Sequence, residues 1–194
     1  AQELSNLVWA FAKSTAIELE FFRLVAEVAA GKLKSFTPYD LASLAWAFAV
    51  IGNHDAKLFD AIADKALANL GGFEPQGLST LAWAFATLGI DDLELFGAIA
   101  GEAAVKAMHL KPQESSNLVW ALASVNLDDP GLFCAVAKEA QEKVKAFTLQ
   151  DLSNHAWAFA TLGTSVAAPE LLRAIEDELV ARLSLIDPLT IPKA

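Results

Sequence analysis

The chain is poor in cations, in cysteine and in long uncharged runs, and each shortage excludes something. Lys and Arg number 14 against 24 Asp and Glu, a formal net charge of −10 with a pI near 4.7. A generic nucleic-acid binder advertises a basic surface, so this balance counts against one. A single cysteine, Cys134, excludes an internal disulfide framework and fits a reducing compartment or a buried thiol. Three histidines, His54, His109 and His155, are too few and too scattered for a zinc site, and no Cys/His cluster has metal-ligand spacing. H-E-x-x-H, P-loop, G-x-G-x-x-G and G-x-S-x-G motifs are missing. The expectation is a protein that is not an enzyme and needs no metal or cofactor. The longest nearly uncharged runs, Leu41–Gly52 and Gly77–Ile90, fall short of the ~18 residues of a membrane-spanning helix. No charged-then-apolar signal segment or basic transit-like stretch precedes the first repeat, though a leader could have been processed away.

What is present is repetition. Leu81-Ala-Trp-Ala-Phe-Ala-Thr-Leu-Gly89 returns as Leu7–Thr15, Leu44–Gly52, Leu118–Asn126 and His155–Gly163. The five copies centre on Trp9, Trp46, Trp83, Trp120 and Trp157, all the tryptophans of the chain, and neighbours are 37 residues apart. A fixed period of this size signals stacked supersecondary units. The 194 residues, 55% of them hydrophobic, then form one continuous domain. Its repeats run over residues 1–34, 35–71, 72–108, 109–145 and 146–184, and residues 185–194 begin another. The first repeat lacks its opening residues, so the native polypeptide is expected to extend further or to have its ends covered by partners.

Each repeat reads as two helices. In the second, Thr37 is a candidate N-cap, Pro38 takes the first helical position and Asp40 completes a capping box. Helix A runs to about Ile51, where Gly52 ends it. After the acidic connector Asn53-His54-Asp55, helix B runs from about Ala56 to Leu70, with Leu58, Phe59, Ile62, Ala63, Ala66 and Leu70 at helical spacing. Later copies span Leu93–Ala107, Gly131–Val144 and, after a two-residue insertion around Ala167-Ala168, Glu170–Leu183. On helix A of the third repeat, Leu78, Leu81, Phe85 and Leu88 form the stripe that faces helix B, while Trp83 points nearly opposite. The tryptophans are therefore expected to pack against an adjacent repeat, with flanking alanines admitting a close approach. His155 replaces a leucine of the core stripe and is expected to be a satisfied core histidine.

Two registers offer chemistry. The positions seven and three residues before each tryptophan and four after it share one arc of helix A. They read Gln2/Asn6/Lys13, Tyr39/Ser43/Val50, Gln76/Thr80/Thr87, Gln113/Asn117/Ser124 and Gln150/Asn154/Thr161. Nearly all are uncharged hydrogen-bonding groups. They either read base edges, one unit per repeat, or form a solvated stripe that satisfies nearby backbone. The second register, near the end of helix B, holds Lys32, Asn69, Lys106, Lys143 and, allowing for the insertion, Arg182. Its cations either track a phosphate backbone or complement helix C-termini. The acids gather elsewhere. Glu3, Asp40, Glu114 and Asp151 lie in first turns of helix A, and Asp55, Asp91, Asp92, Asp128 and Asp129 lie in connectors.

The pattern (F)-x-P-Q-x-L-S-N-x-x-W-A-F-A-x-L-G, followed by an L-F-x-A-I helix, resembles the octotricopeptide and heptatricopeptide repeats, and the 37-residue period suits the latter. The resemblance covers essentially the whole chain. It implies a right-handed, all-α solenoid of about five helix-turn-helix repeats, imported into a chloroplast or mitochondrion. It also implies binding of single-stranded organellar RNA, not DNA, in support of maturation, stability or translation. The base-contact candidates carried over are Asn6, Ser43, Thr80, Asn117 and Asn154 with Gln2, Tyr39, Gln76, Gln113 and Gln150. Lys32, Lys106, Lys143 and Arg182 are the phosphate candidates. The acidic balance, and the lack of a C-terminal RAP-like domain, keep a rival open: a protein scaffold or accessory subunit of an organellar complex such as a ribosome or photosynthetic assembly.

Overall fold

The computed structural model describes residues 1–14, 19–163 and 168–184. Within them the chain is all-α. Five A helices, α1 (Gln2–Lys13), α3 (Pro38–Val50), α5 (Pro75–Thr87), α7 (Pro112–Ser124) and α9 (Leu149–Leu162), alternate with five B helices. These are α2 (Leu19–Ala30), α4 (Ala56–Leu67), α6 (Leu93–Val105), α8 (Pro130–Lys143) and α10 (Pro169–Ser184). Each A helix packs on its own B helix and on the A helices before and after it, so the hairpins stack into a solenoid. The insertion around Ala167-Ala168 falls largely outside the described residues, and residues 185–194 fall wholly outside them.

Local chemistry sets the helix ends. Thr37 donates through its backbone N and Oγ1 to Asp40 Oδ2, at 2.9 and 2.8 Å, and Asp40 N donates back to Thr37 Oγ1 at 3.2 Å. Thr148 and Asp151 repeat the arrangement at α9. At α7 the Lys111 N–H donates to Glu114 Oε2 at 2.9 Å. These carboxylates satisfy amides that the helix leaves unpaired and meet the positive end of its dipole. The connector acids work in the same way. Asp55, Asp92 and Asp129 accept from the backbone amides of Leu58, Leu95 and Leu132 at 2.8–3.0 Å and start the B helices.

Three A helices, α3, α5 and α7, stop in a left-handed turn. Gly52 has φ 67°, and Asn53 N reaches Phe48 O while Gly52 N reaches Ala49 O, the paired bonds of a Schellman stop. Gly89 repeats this, and Asn126 does so at φ 54°. Three B helices end earlier than their apolar spacing suggests: α4 closes at Leu67, α6 at Val105 and α8 at Lys143, not at Leu70, Ala107 and Val144. Short 3-10 helices follow at Leu33–Ser35, Leu70–Gly72, Ala107–His109 and Val144–Ala146. Each tightens the chain so that the residue directly after it, Phe36, Phe73, Leu110 or Phe147, turns inward and is buried.

Side-chain size shapes the stack. Ala45, Ala47, Ala82, Ala84 and Ala121 are completely buried along the A helices. Without bulk between them, neighbouring A helices touch along their length, while neighbouring B helices meet more sparingly. Rings fill the space between rows. Phe22 meets Phe48, Phe48 meets Phe59 and Phe59 meets Phe85, edge to face at 5.0–6.5 Å between centroids. His155 is fully buried in the last A helix, where every other repeat has leucine. Its Nδ1 lies 2.9 Å from Asp151 O, and a carbonyl can only accept, so Nδ1 carries the proton. Nε2 then accepts, with Ser115 Oγ at 3.4 Å. Burial pushes its pKa down to about 4, which leaves the ring a neutral core group.

Candidate ligand groove along the A helices

The expected packing of a tryptophan on an adjacent repeat is seen where Trp9 meets Trp46, yet the rings are not enclosed. Trp46, Trp83 and Trp120 are half-buried against the core, and Trp9 and Trp157 are 47% and 45% exposed. Ala45 and Ala47 beside Trp46, and Ala82 and Ala84 beside Trp83, are completely buried and fill the contact between helices, so the indole rests on that contact and keeps one side open. Trp9 and Trp46 lean together, with centroids 6.1 Å apart and planes tilted by 31°.

The polar register lies beside them for a geometric reason. At about 100° per residue, positions seven and three before a tryptophan and four after it fall within about 60° of it on the wheel. Two open clefts result. The first, of about 400 Å³, is lined by Trp9, Trp46, Tyr39, Ser43, Gln76 and Thr80, and by Phe73 and Glu74. The second, of about 410 Å³, continues from Trp46 and Trp83 over Gln76, Thr80, Gln113, Asn117 and Gln150. Seven of the ten base-contact candidates therefore share one groove. Gln2 and Asn6 are exposed on α1 outside the walls of both clefts. Asn154 is half-buried and spends its amide on Ser116 Oγ at 3.1 Å. Farther along the register, Ser124 Oγ donates to its own helix at Trp120 O, 2.8 Å away, while Val50, Thr87 and Thr161 are exposed.

The cation register goes elsewhere. Lys106 Nζ donates to Phe73 O at 2.6 Å and Gly71 O at 3.0 Å, and pairs with Glu102 at 2.8 Å. Lys143 donates to Met108 O at 3.1 Å and pairs with Glu139 at 2.9 Å. Arg182 donates to Lys145 O at 3.3 Å and pairs with Glu178 at 2.7 Å. Each clasps the 3-10 turn of the preceding hairpin, the carbonyls of a neighbouring turn and not those of its own helix terminus. This arrangement differs from both readings of the sequence. Lys32 is exposed, and none of the four cations lines either cleft.

The groove has its own sparse charge. Lys111 and Glu114 line the second cleft, with their charged ends 3.7 Å apart. Lys13 lies against two rings that wall the first cleft, its ammonium 5.5 Å from the Trp9 ring centre and 5.4 Å from that of Trp46, without itself lining the cleft. Lys13 stood in the polar register, but Lys111 and the tryptophans belonged to no expected site. The signal for the tryptophans was available: the wheel that groups the polar register also places the indole at its edge. Cys134 is exposed on α8, at a register where the other repeats carry Arg23, Asp60, Gly97 and Arg173, so it is not a buried thiol. Among the described residues no helix is long and apolar enough to cross a membrane.

Comparison with known proteins adds one match of wide coverage. The family model of the RNA-editing substrate-binding complex 6 protein matches residues 1–191, and so takes in the whole groove. That family is not specifically the octotricopeptide or heptatricopeptide type. No curated protein matches the chain.

Proposed function

The chain belongs to the RNA-editing substrate-binding complex 6 protein family, and from that premise we propose a non-catalytic, helical-repeat subunit of an RNA-editing substrate-binding complex whose A-helix groove holds single-stranded RNA. The observation that carries this reading is the alternation of half-open indoles with neutral amides and hydroxyls along two connected clefts. A base stacked on an aromatic face is worth about 1–3 kcal/mol. Gln and Asn amides beside it can both donate to and accept from a base edge. The repeat is of the octotricopeptide or heptatricopeptide kind, it offers about one reading unit per hairpin, and the segment held is roughly five nucleotides long. We place the protein in an organelle, the mitochondrion or the chloroplast.

Because Lys106, Lys143 and Arg182 hold the fold together, the backbone of such a segment meets few cations. Binding then draws more on stacking than on counterion release, and its salt dependence is shallow for a nucleic-acid complex. The same observation, with the net charge of −10, favours the second reading: a scaffold whose ligand is another protein subunit with a basic surface.

Fluorescence anisotropy with a short labelled single-stranded RNA at low ionic strength separates the two. The RNA reading expects saturable binding, and Asn117→Ala then weakens binding of the preferred sequence while leaving the salt slope unchanged. Absence of any binding to single-stranded RNA, together with partners in an organelle lysate that survive nuclease, would establish the scaffold instead.

A further inference from the structure

The first cleft differs from the second in three ways that combine into a specific site. Where the other repeats carry glutamine seven residues before the tryptophan, this one carries Tyr39, which is 63% exposed. Two indoles meet here, Trp9 and Trp46, close enough to form one stepped aromatic wall. A single cation, Lys13, stands over both rings. In the equivalent position four residues after the tryptophan, the later repeats have Val50, Thr87, Ser124 and Thr161. Aromatic surface and neutral hydrogen-bonding groups thus line this cleft, and an ammonium rests on its two indoles; unlike Lys111 of the second cleft, it faces no carboxylate among the described residues.

We infer that this cleft is a nucleotide-binding subsite, in which Trp46 and Tyr39 take the base and Lys13 takes a phosphate oxygen. The inference rests on the RNA reading of the groove and adds residues and roles to it. A volume of about 400 Å³ is of the size that holds a small ligand. Flat aromatic walls match the face of a base, and Ser43, Gln76 and Thr80 in the same cleft supply donors and acceptors for its edge. Among the described residues the Lys13 ammonium is held by the indole faces and by no carboxylate, a weak tether at an exposed site. A phosphate oxygen therefore offers it a stronger partner than it has in the free protein. Glu74 is the charged residue of the lining and disfavours an anion against itself. A peptide carrying an acidic side chain shares the need for a cation, but makes less use of two indole faces and a row of neutral groups.

The test uses the full chain and a short fluorescein-labelled oligouridylate, titrated by anisotropy across a salt series. Lys13→Gln should weaken binding and lower the log–log salt slope by about 0.7, the value for one lost phosphate contact on a single strand. Tyr39→Gln, which restores the residue of the other repeats at an exposed position, should weaken binding about tenfold with the slope unchanged. Lys57→Gln, on the exposed side of α4, should alter neither. Identical circular dichroism melts for all variants show that the changes are local. If RNA binds and both cleft variants match the unmodified protein, the subsite is overturned while the groove reading stands on Asn117→Ala. If an oligoglutamate peptide binds with the same sensitivity to Lys13→Gln and RNA does not bind, subsite and groove reading fall together.

Discussion

His155→Leu separates what a buried ring contributes to this fold from what the repeat itself requires. The imidazole is fully buried, its pKa is pushed down to about 4, and the unfolded chain titrates near 6.5. Between those values the unfolded state holds a proton that the folded state refuses. Stability is therefore complete above the unfolded pKa, falls as pH drops through the window from 6.5 to about 4, and levels off below it. The whole window is worth roughly 3 kcal/mol, and the fall from about pH 7.5 to about pH 5 roughly 2 kcal/mol. Leucine stands at this register in the other four repeats. It removes the ring's contacts to Asp151 O and Ser115 Oγ but gains helix propensity and apolar burial. Near neutral pH the two effects should leave stability within about 1 kcal/mol of the original. The measurement is urea unfolding by far-UV circular dichroism at both pH values, for both proteins. The unmodified protein should lose about 2 kcal/mol more than the variant on acidification. Equal losses would mean that the ring is hydrated or charged in the folded state, and the argument from burial would fail.

Two further perturbations probe the stack. Gly89→Ala meets no atom within 4 Å of the added Cβ, so its cost is the left-handed φ of 67° alone; thermal melts should show a loss of about 1–2 kcal/mol, and an unchanged melting temperature would refute the strain. Lys106→Met removes the ammonium that clasps Phe73 O and Gly71 O. It should destabilise by about 1.5–3 kcal/mol without moving the salt slope of RNA binding, and a lowered slope would return Lys106 to the phosphate contacts.

The repeat itself carries much of the fold, because it is written in local chemistry. Thr37-Pro38 with Asp40 starts a helix wherever it is placed, Gly52 and Gly89 stop one, and a 37-residue spacing of Trp-Ala-Phe-Ala allows only a stack of like units. The polar register was also legible, since residues spaced by three, four and seven share a helical face in isolation. The early close of α4 at Leu67 was not. Apolar spacing continues smoothly to Leu70, and only the need to bring Phe73 under the next helix explains the 3-10 turn.

Contacts between repeats decided the rest. The sequence places Lys106 and Glu102 four residues apart, but not Lys106 against Phe73 and Gly71, which belong to another hairpin. Whether a cation faces solvent or a neighbour's carbonyl depends on how one hairpin sits on the next, and no local spacing encodes that. The tryptophans follow the same rule. Their number and period come from the sequence, while their exposure comes from alanines that close the helix contact before an indole can enter it. Asn154 and Asn117 stand at the same register, yet one is tied to Ser116 and the other lines the groove. Periodicity assigns residues to a face; packing across hairpins decides which of them remain free to bind.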